Sequence, residues 1–236
     1  MSTDTKGTIL YVAVIADMVS SRTISERYAV QEALKATLSV ANERYASALT
    51  SPFTLTLGDE FQGLLHTATG LFEVLDFIRF RCEEVTFRFG IGLGGILTAI
   101  DPRSSLGADG PAYWNARAAA EHVRRHHDYR GTNMRIDAND VPDSPDVVLL
   151  NDLLRLCGFI EKRWRPSQRA FVRDCIRRNG HARDVPQKAL AEALGISPQQ
   201  LNQSIRLSGL HLYIDAKRRL GENLQQALVK AQGDRM

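Results

Sequence analysis

The sequence predicts an α+β chain, a βαββαβ unit over residues 1–157 followed by a small all-α unit over residues 158–236. Three observations predict it. Segments with strand and helical periodicity follow one another in the order β, α, β, β, α, β as far as Gly94. The remainder after residue 157 reads as helices throughout. Charge divides at the same place. Residues 1–157 hold 15 Lys and Arg against 20 Asp and Glu, a net of −5, whereas residues 158–236 hold 15 against 7, a net of +8.

The first strand, Thr8 to Ala16, is apolar nearly throughout, as a central strand covered on both faces should be, and it ends at Asp17. A polar loop from Met18 to Ser25 leads to a helix from about Glu26 to Leu49, with Tyr28, Leu34, Leu38, Val40, Ala41 and Tyr45 as its apolar face. Ser51-Pro52 is expected to end it. Two strands, Phe53–Leu57 and Glu60–His66, are joined at the turn dipeptide Gly58-Asp59. Thr67 is the expected N-cap of a helix running to about Cys82. In the next strand, Val85 to Gly94, Phe87, Phe89, Ile91 and Leu93 alternate with small or polar residues. The face stripped to glycine implies close approach of a ligand or of another backbone.

This order is the split βαβ, or ferredoxin-like, arrangement, in which the first and third strands are neighbours. Asp17 is thereby expected beside the hairpin that carries Asp59 and Glu60. A turn at Gly107–Gly110, a helix from Pro111 to about His127 and a strand over Thr132–Ile136 follow, and Asp140–Asp146 reads as a surface connection. In the tail, helices are expected at about Ser167–Arg178, Pro186–Leu194, Pro198–Leu207 and Leu212–Lys230. The middle pair has the pattern of a helix-turn-helix: Ala191 at the crossing, Gly195 in the turn, Ile196 inside and Ser197 as cap. Gln199, Gln200, Asn202, Gln203 and Arg206 would face outward, and such side chains reach base edges or phosphates.

The basic tail makes DNA its expected partner. Three cysteines without a CxxC pair, together with the lack of a basic-then-apolar signal segment, imply a reducing cytoplasm. Every apolar run is far shorter than a membrane span. Such a span takes roughly 18 residues.

Three stretches carry a family resemblance: Ala16-Asp17-Met18-Val19-Ser20-Ser21-Arg22, Thr56 to Gly63 (TLGDEFQG), and Gly107-Ala108-Asp109-Gly110-Pro111-Ala112. With them the chain resembles the SatD family, a bacterial group. More distantly, its element order resembles the catalytic palm of class III nucleotidyl cyclases and GGDEF-type diguanylate cyclases. That second resemblance implies Asp17 and Asp59, with Glu60 as an additional ligand, holding Mg²⁺ or Mn²⁺ against a nucleoside triphosphate. It further implies backbone amides of Met18, Val19, Ser20 and Ser21, with Gly58 at the hairpin tip, around the nucleotide, Asn115 in the transition state, and a homodimer. Ala119 stands where those cyclases carry an Arg four residues after the Asn, and Arg117 is displaced from that position by two. Such a displacement turns a side chain by roughly 160° around a helix.

Two readings follow. In one, the chain joins a metal-dependent nucleotide-binding, cyclase-type domain to a DNA-binding helix-turn-helix. In the other it is a transcriptional regulator whose palm is a catalytically silent sensor or dimerisation module.

Overall fold

The computed structural model describes residues 9–19, 27–56, 58–126, 132–139, 141 and 146–233. Its centre is a five-stranded mixed sheet in the order β2-β3-β1-β4-β5. The strands are β1 (Tyr11–Met18), β2 (Leu49–Leu55), β3 (Glu60–Leu65), β4 (Phe87–Gly94) and β5 (Met134–Asp137). β1 lies between β3 and β4 and is antiparallel to both, while β5 joins β4 in parallel. Both edges of β1 are therefore paired, and both its faces are buried under packed side chains, which is why Val12 to Ala16 are apolar without interruption.

On one face Val12, Val14 and Ala16, with Phe61, Phe89 and Ile91, form the main core beneath α1 (Arg27–Arg44) and α2 (Leu71–Arg81). On the other face Ala13, Ile15 and Leu64 meet Ala112, Tyr113 and Ala116 of α3 (Pro111–His126). The glycine stripe is explained here. A Cβ at Gly90 would overlap the Ala116 carbonyl oxygen, and one at Gly92 that of Ala112. The close neighbour is the backbone of α3, in the same chain.

Several boundaries differ from expectation. α1 stops at Arg44, a 3₁₀ turn spans Ala46–Ala48, and β2 then begins at Leu49. Pro52 thus lies inside a strand instead of ending a helix. It is tolerated because β2 is an edge strand with register shifts between Leu49 and Ser51 and between Ser51 and Thr54. Thr67 does not cap α2. Gly70, at φ +77°, occupies that position, and the Thr67 hydroxyl donates to Gln225 Oε1 at 2.7 Å.

The C-terminal half comprises α4 (Val147–Lys162), α5 (Pro166–Asn179), α6 (Gln187–Leu194), α7 (Pro198–Ser208) and α8 (Leu210–Gly233). The expected boundary at 157/158 falls within α4, a continuous helix capped by Asp146 through Leu149 N. Asn151 of α4 closes the outer edge of β5, accepting from Ile136 N and donating to Ile136 O, both at 2.9 Å. A second core around Trp164, Val172, Leu201 and Tyr213 holds α5 to α8 together, yet Leu220, Leu224 and Leu228 of α8 belong to the main core. Cys82, Cys157 and Cys175 are buried free thiols. Among the described residues no helix is long and apolar enough to cross a membrane.

The halves also meet at Asp76 of α2, which is wholly buried. Arg79 Nε donates to it at 2.8 Å, Tyr213 Oη at 3.1 Å and Lys217 Nζ at 3.2 Å, while His181 Nε2 lies 3.0 Å from its second oxygen. Arg79 continues to Glu161 of α4 at 2.8 Å. Burial alone would push the Asp76 carboxyl up, but Lys217, Arg79 and His181 hold it well below its ordinary 3.8. A depressed carboxylate stabilises the fold above its unfolded pKa, and this contribution is lost as pH falls below about 3.8 toward the folded value. Asp76→Asn is expected to cost about 3–5 kcal/mol in urea denaturation at pH 7, because it leaves buried cations uncompensated. The gap between variant and wild type narrows below pH 3.8.

Candidate functional site

Cross-strand register builds the site. Asp17, next to last in β1, faces Glu60 of β3 on one side and Arg88 of β4 on the other. Directly paired residues share a sheet face, so Glu60, Asp17 and Arg88 form a row. They lie on the face that α3 covers, because Ala13, Ile15 and Asp17 alternate together along β1. The neighbouring hairpin is tied down: Thr56 N donates to Glu60 O at 2.8 Å and its hydroxyl reaches Glu60 Oε1 at 3.2 Å. Gly58 supplies the left-handed turn at φ +56°, a conformation that hairpin tips favour. The expected meeting of Asp17 with the Asp59–Glu60 hairpin is therefore present in the strand order.

Asp17 is 29% exposed and pairs with Arg88 Nη2 at 3.3 Å. Burial pushes its carboxyl above the ordinary value; Arg88 opposes the rise, Glu60 adds to it, and Arg124 and Asp59 have smaller opposite effects. A raised carboxylate works against the fold once ionised, so Asp17's contribution is greatest below its unfolded pKa and is lost as pH rises through the folded one. Arg124, in the last turn of α3, is itself paired with Glu121. The Arg88 Nε is buried and has no hydrogen-bond partner among the described residues, and Arg135 Nε, in register with Gly90, is in the same condition. A buried guanidinium donor without an acceptor is costly, and oxyanion oxygens are its natural complement.

The other expected residues fall differently. The Met18 amide donates to Asp59 O at 2.9 Å and the Val19 amide to Thr86 O at 2.7 Å, so neither N–H is free for a phosphate. Ser20 and Ser21 lie outside the described residues. Asn115 is not beside Asp17. It is buried, and its amide donates to Leu93 O at 2.7 Å and to Asn139 O at 3.1 Å. Leu93 stands five residues along β4 from Arg88, about 17 Å at ~3.3 Å per residue. The reason is the direction of α3, whose first turn lies over Gly94 and whose later turns lie over Gly90. Its last turn, with Arg124, comes nearest Asp17. Among the described residues no group of three or more His, Cys, Asp or Glu is placed to hold a metal ion. Mg²⁺ is commonly held by one or two carboxylates together with substrate phosphates and water, and Asp17 and Glu60 suit that donor set.

Neither Arg88 nor Arg124 is among the residues that the sequence singles out. A signal for Arg88 was present: it shares its alternation with Gly90, Gly92 and Gly94, so it had to face the same side as α3.

In the tail, α6 and α7 are joined through Gly195 at φ +67°, and Ser197 caps α7 by accepting from Gln200 N at 3.2 Å. Gln199, Gln200, Asn202, Gln203 and Arg206 are exposed. Gln200 Oε1 nevertheless accepts from Ser197 N at 2.9 Å, which commits that side chain to the capping box.

The molecule is thus an α+β protein with an acidic pair and an arginine in one row at the end of its central strand. It belongs to the SatD family, whose family model matches residues 11–224. No curated protein sequence matches the chain. Two of the three motif stretches, around Asp17 and Thr56–Gly63, meet at the row. The third, Gly107–Ala112, shapes the start of α3, where Asp109 Oδ1 accepts from Trp114 Nε1 at 2.9 Å.

Replacing Arg88 by Gln is expected to raise the Asp17 carboxyl further, since the main opposing charge is removed. Carbon-13 titration of the Asp17 carboxyl checks this, and an unchanged midpoint would show that the ion pair does not form in solution.

Proposed function

We propose that this SatD-family chain is a nucleotide-handling protein of the cytoplasm, in which a ferredoxin-like, cyclase-type palm binds a nucleoside triphosphate with Mg²⁺ or Mn²⁺ and a C-terminal helix-turn-helix binds DNA. The observation that carries the first half is the Glu60–Asp17–Arg88 row, with Asp59 bonded through its carbonyl to Met18. The antiparallel order β2-β3-β1-β4 supports the palm reading, because it is the order a ferredoxin-like βαββαβ unit has.

In this reading Asp17 and Glu60 are the carboxylates that would hold the divalent ion, with Asp59 beside them. When bound, the metal supplies charge neutralisation on the phosphates and Lewis acidity. Arg88, whose Nε lacks an acceptor among the described residues, binds phosphate oxygens, and Arg124 adds positive potential from the end of α3. Phosphoryl transfer needs chiefly such positioning and charge compensation. Asn115 has no part in it, because its amide is taken by Leu93 and Asn139.

One observation favours the second reading, a regulator with a silent palm. Asn115 is occupied and Ala119 stands at the position of the transition-state Arg, so of the two residues that cyclases use on this helix one is engaged elsewhere and the other is absent. The exposed polar row of α7 serves DNA binding in either case.

Incubation of the purified chain with each of the four nucleoside triphosphates and Mn²⁺, beside Asp17→Asn, separates the readings. A new nucleotide and pyrophosphate, absent from the variant, establish the enzyme; binding without turnover favours the sensor; no binding at all removes the palm site. For the tail, the full chain is expected to retard duplex DNA at about 50 mM salt and to lose affinity steeply by about 200 mM. Arg206→Ala weakens this binding and lowers the salt slope by about 1. If no duplex is retarded at low salt, the DNA reading fails.

A further inference from the structure

A cavity of about 270 Å³ lies where the sheet meets the C-terminal helices, walled by parts of α2, β4, α4, α5 and α8 and by the segment just before β5. It is distinct from the carboxylate row. Phe87 and Phe89 line it, and they alternate with Arg88, so cavity and row lie on opposite faces of β4.

Its polar lining is predominantly cationic: Arg79, Lys162, Arg169, Arg173 and Lys217. Glu83 and Glu161 stand against them in the lining, and Asp76 and Asp174 bond them from behind. Arg177 also pairs with Glu83 from behind, and among the five lining cations Lys162, on the exposed rim, is the one to which no carboxylate is bonded among the described residues.

The second observation concerns Lys217, 3% exposed in the cavity wall. An ammonium has three N–H donors. One reaches Asp76 Oδ1 at 3.2 Å, and another meets the thioether sulfur of Met134 at 3.3 Å. The rings of Phe72 and Tyr213 lie 5.4 and 5.3 Å away. A thioether is a weak acceptor for a buried charge, and an anionic oxygen would complete the shell of Lys217 far better. Around that polar corner the wall is apolar, with Phe80, Phe87 and Leu154.

We propose that this cavity binds a small organic anion, an oxyanion carried on an apolar or aromatic body of about ten non-hydrogen atoms. The oxyanion meets Lys217, Lys162 attracts it at the mouth, and the body lies against Phe80 and Phe87. The bound anion bridges the sheet to α4, α5 and α8, and therefore stabilises the fold.

Thermal unfolding of the full chain at constant ionic strength tests this with phenyl phosphate and benzoate, beside benzamide as the neutral isostere and inorganic phosphate as the anion without a body. The expected result is a saturable rise in Tm on the order of 5 °C for at least one of the organic anions, with little or none for benzamide and inorganic phosphate. Lys162→Ala weakens the effect about tenfold, as loss of one charge-assisted contact does. Gly158 of α4 also lines the cavity. Gly158→Leu fills it while favouring the helix, so that variant folds and loses the response. Asp17→Asn keeps the response, which separates this site from the proposed nucleotide site. The proposal is overturned if neither organic anion raises Tm, if benzamide or inorganic phosphate does as well, if Gly158→Leu responds like wild type, or if Asp17→Asn abolishes the shift.

Discussion

The buried carboxylate of Asp76 constrains the whole assembly. A charge without access to water must be matched by partners at fixed distances, and its partners here come from α2, from α8 and from His181 just after α5. Through Arg79 and Glu161 the same network takes in α4. Each element can lie in only one place if the carboxylate is to keep its donors. The tail is consequently docked on the α2 side of the sheet in one orientation, and Leu220, Leu224 and Leu228 continue the main core from α8. The cavity is a by-product of that docking, since charged and aromatic side chains from several elements converge there without filling the space.

The opposite face of the sheet obeys a steric rule. α3 approaches β4 so closely that only glycine fits at positions 90, 92 and 94. The first side chain available on that face is Arg88, and it stands where Asp17 and Glu60 come into register. Close helix packing and the position of the charged row thus have one cause: the glycines bring α3 down, and the end of the stripe is where charged side chains first find room on that face. Asn115 serves the packing, fastening α3 to Leu93 and Asn139.

Much of this was legible in the sequence, for local reasons. β1 and β4 announce themselves by unbroken or alternating apolar residues, the hairpin by Gly58-Asp59, and α6 and α7 by Gly195 and Ser197, because each signal lies within the element it specifies. What was not legible depends on distant partners. Ser51-Pro52 reads as a helix stop, and only the edge position of β2 turns it into part of a strand. α4 was missed although Leu150, Leu154 and Cys157 have helical spacing; the prolines just before it and the charge boundary drawn within it concealed the pattern. A site role for Asn115 follows only from the cyclase resemblance, which says nothing of the direction in which α3 crosses this sheet. The Asp76 network joins residues 105 and 141 positions apart, beyond any local pattern.

The row at the end of β1 is mixed in sign, and this bears on what it can bind under the proposed reading. Asp17 already has Arg88 at 3.3 Å. A divalent ion arriving alone therefore meets a carboxylate partly neutralised and a like charge beside it. A triphosphate arriving alone meets Arg88 but also the repulsion of Asp17 and Glu60. Metal and triphosphate together would present both signs: Asp17 and Glu60 would hold the ion, and Arg88 would be left for the phosphates. Each ligand would lower the cost of the other, so charge balance alone would couple the two. A site built only of carboxylates would hold metal without nucleotide; under the proposed reading, the arginine in the row would make occupancy depend on both.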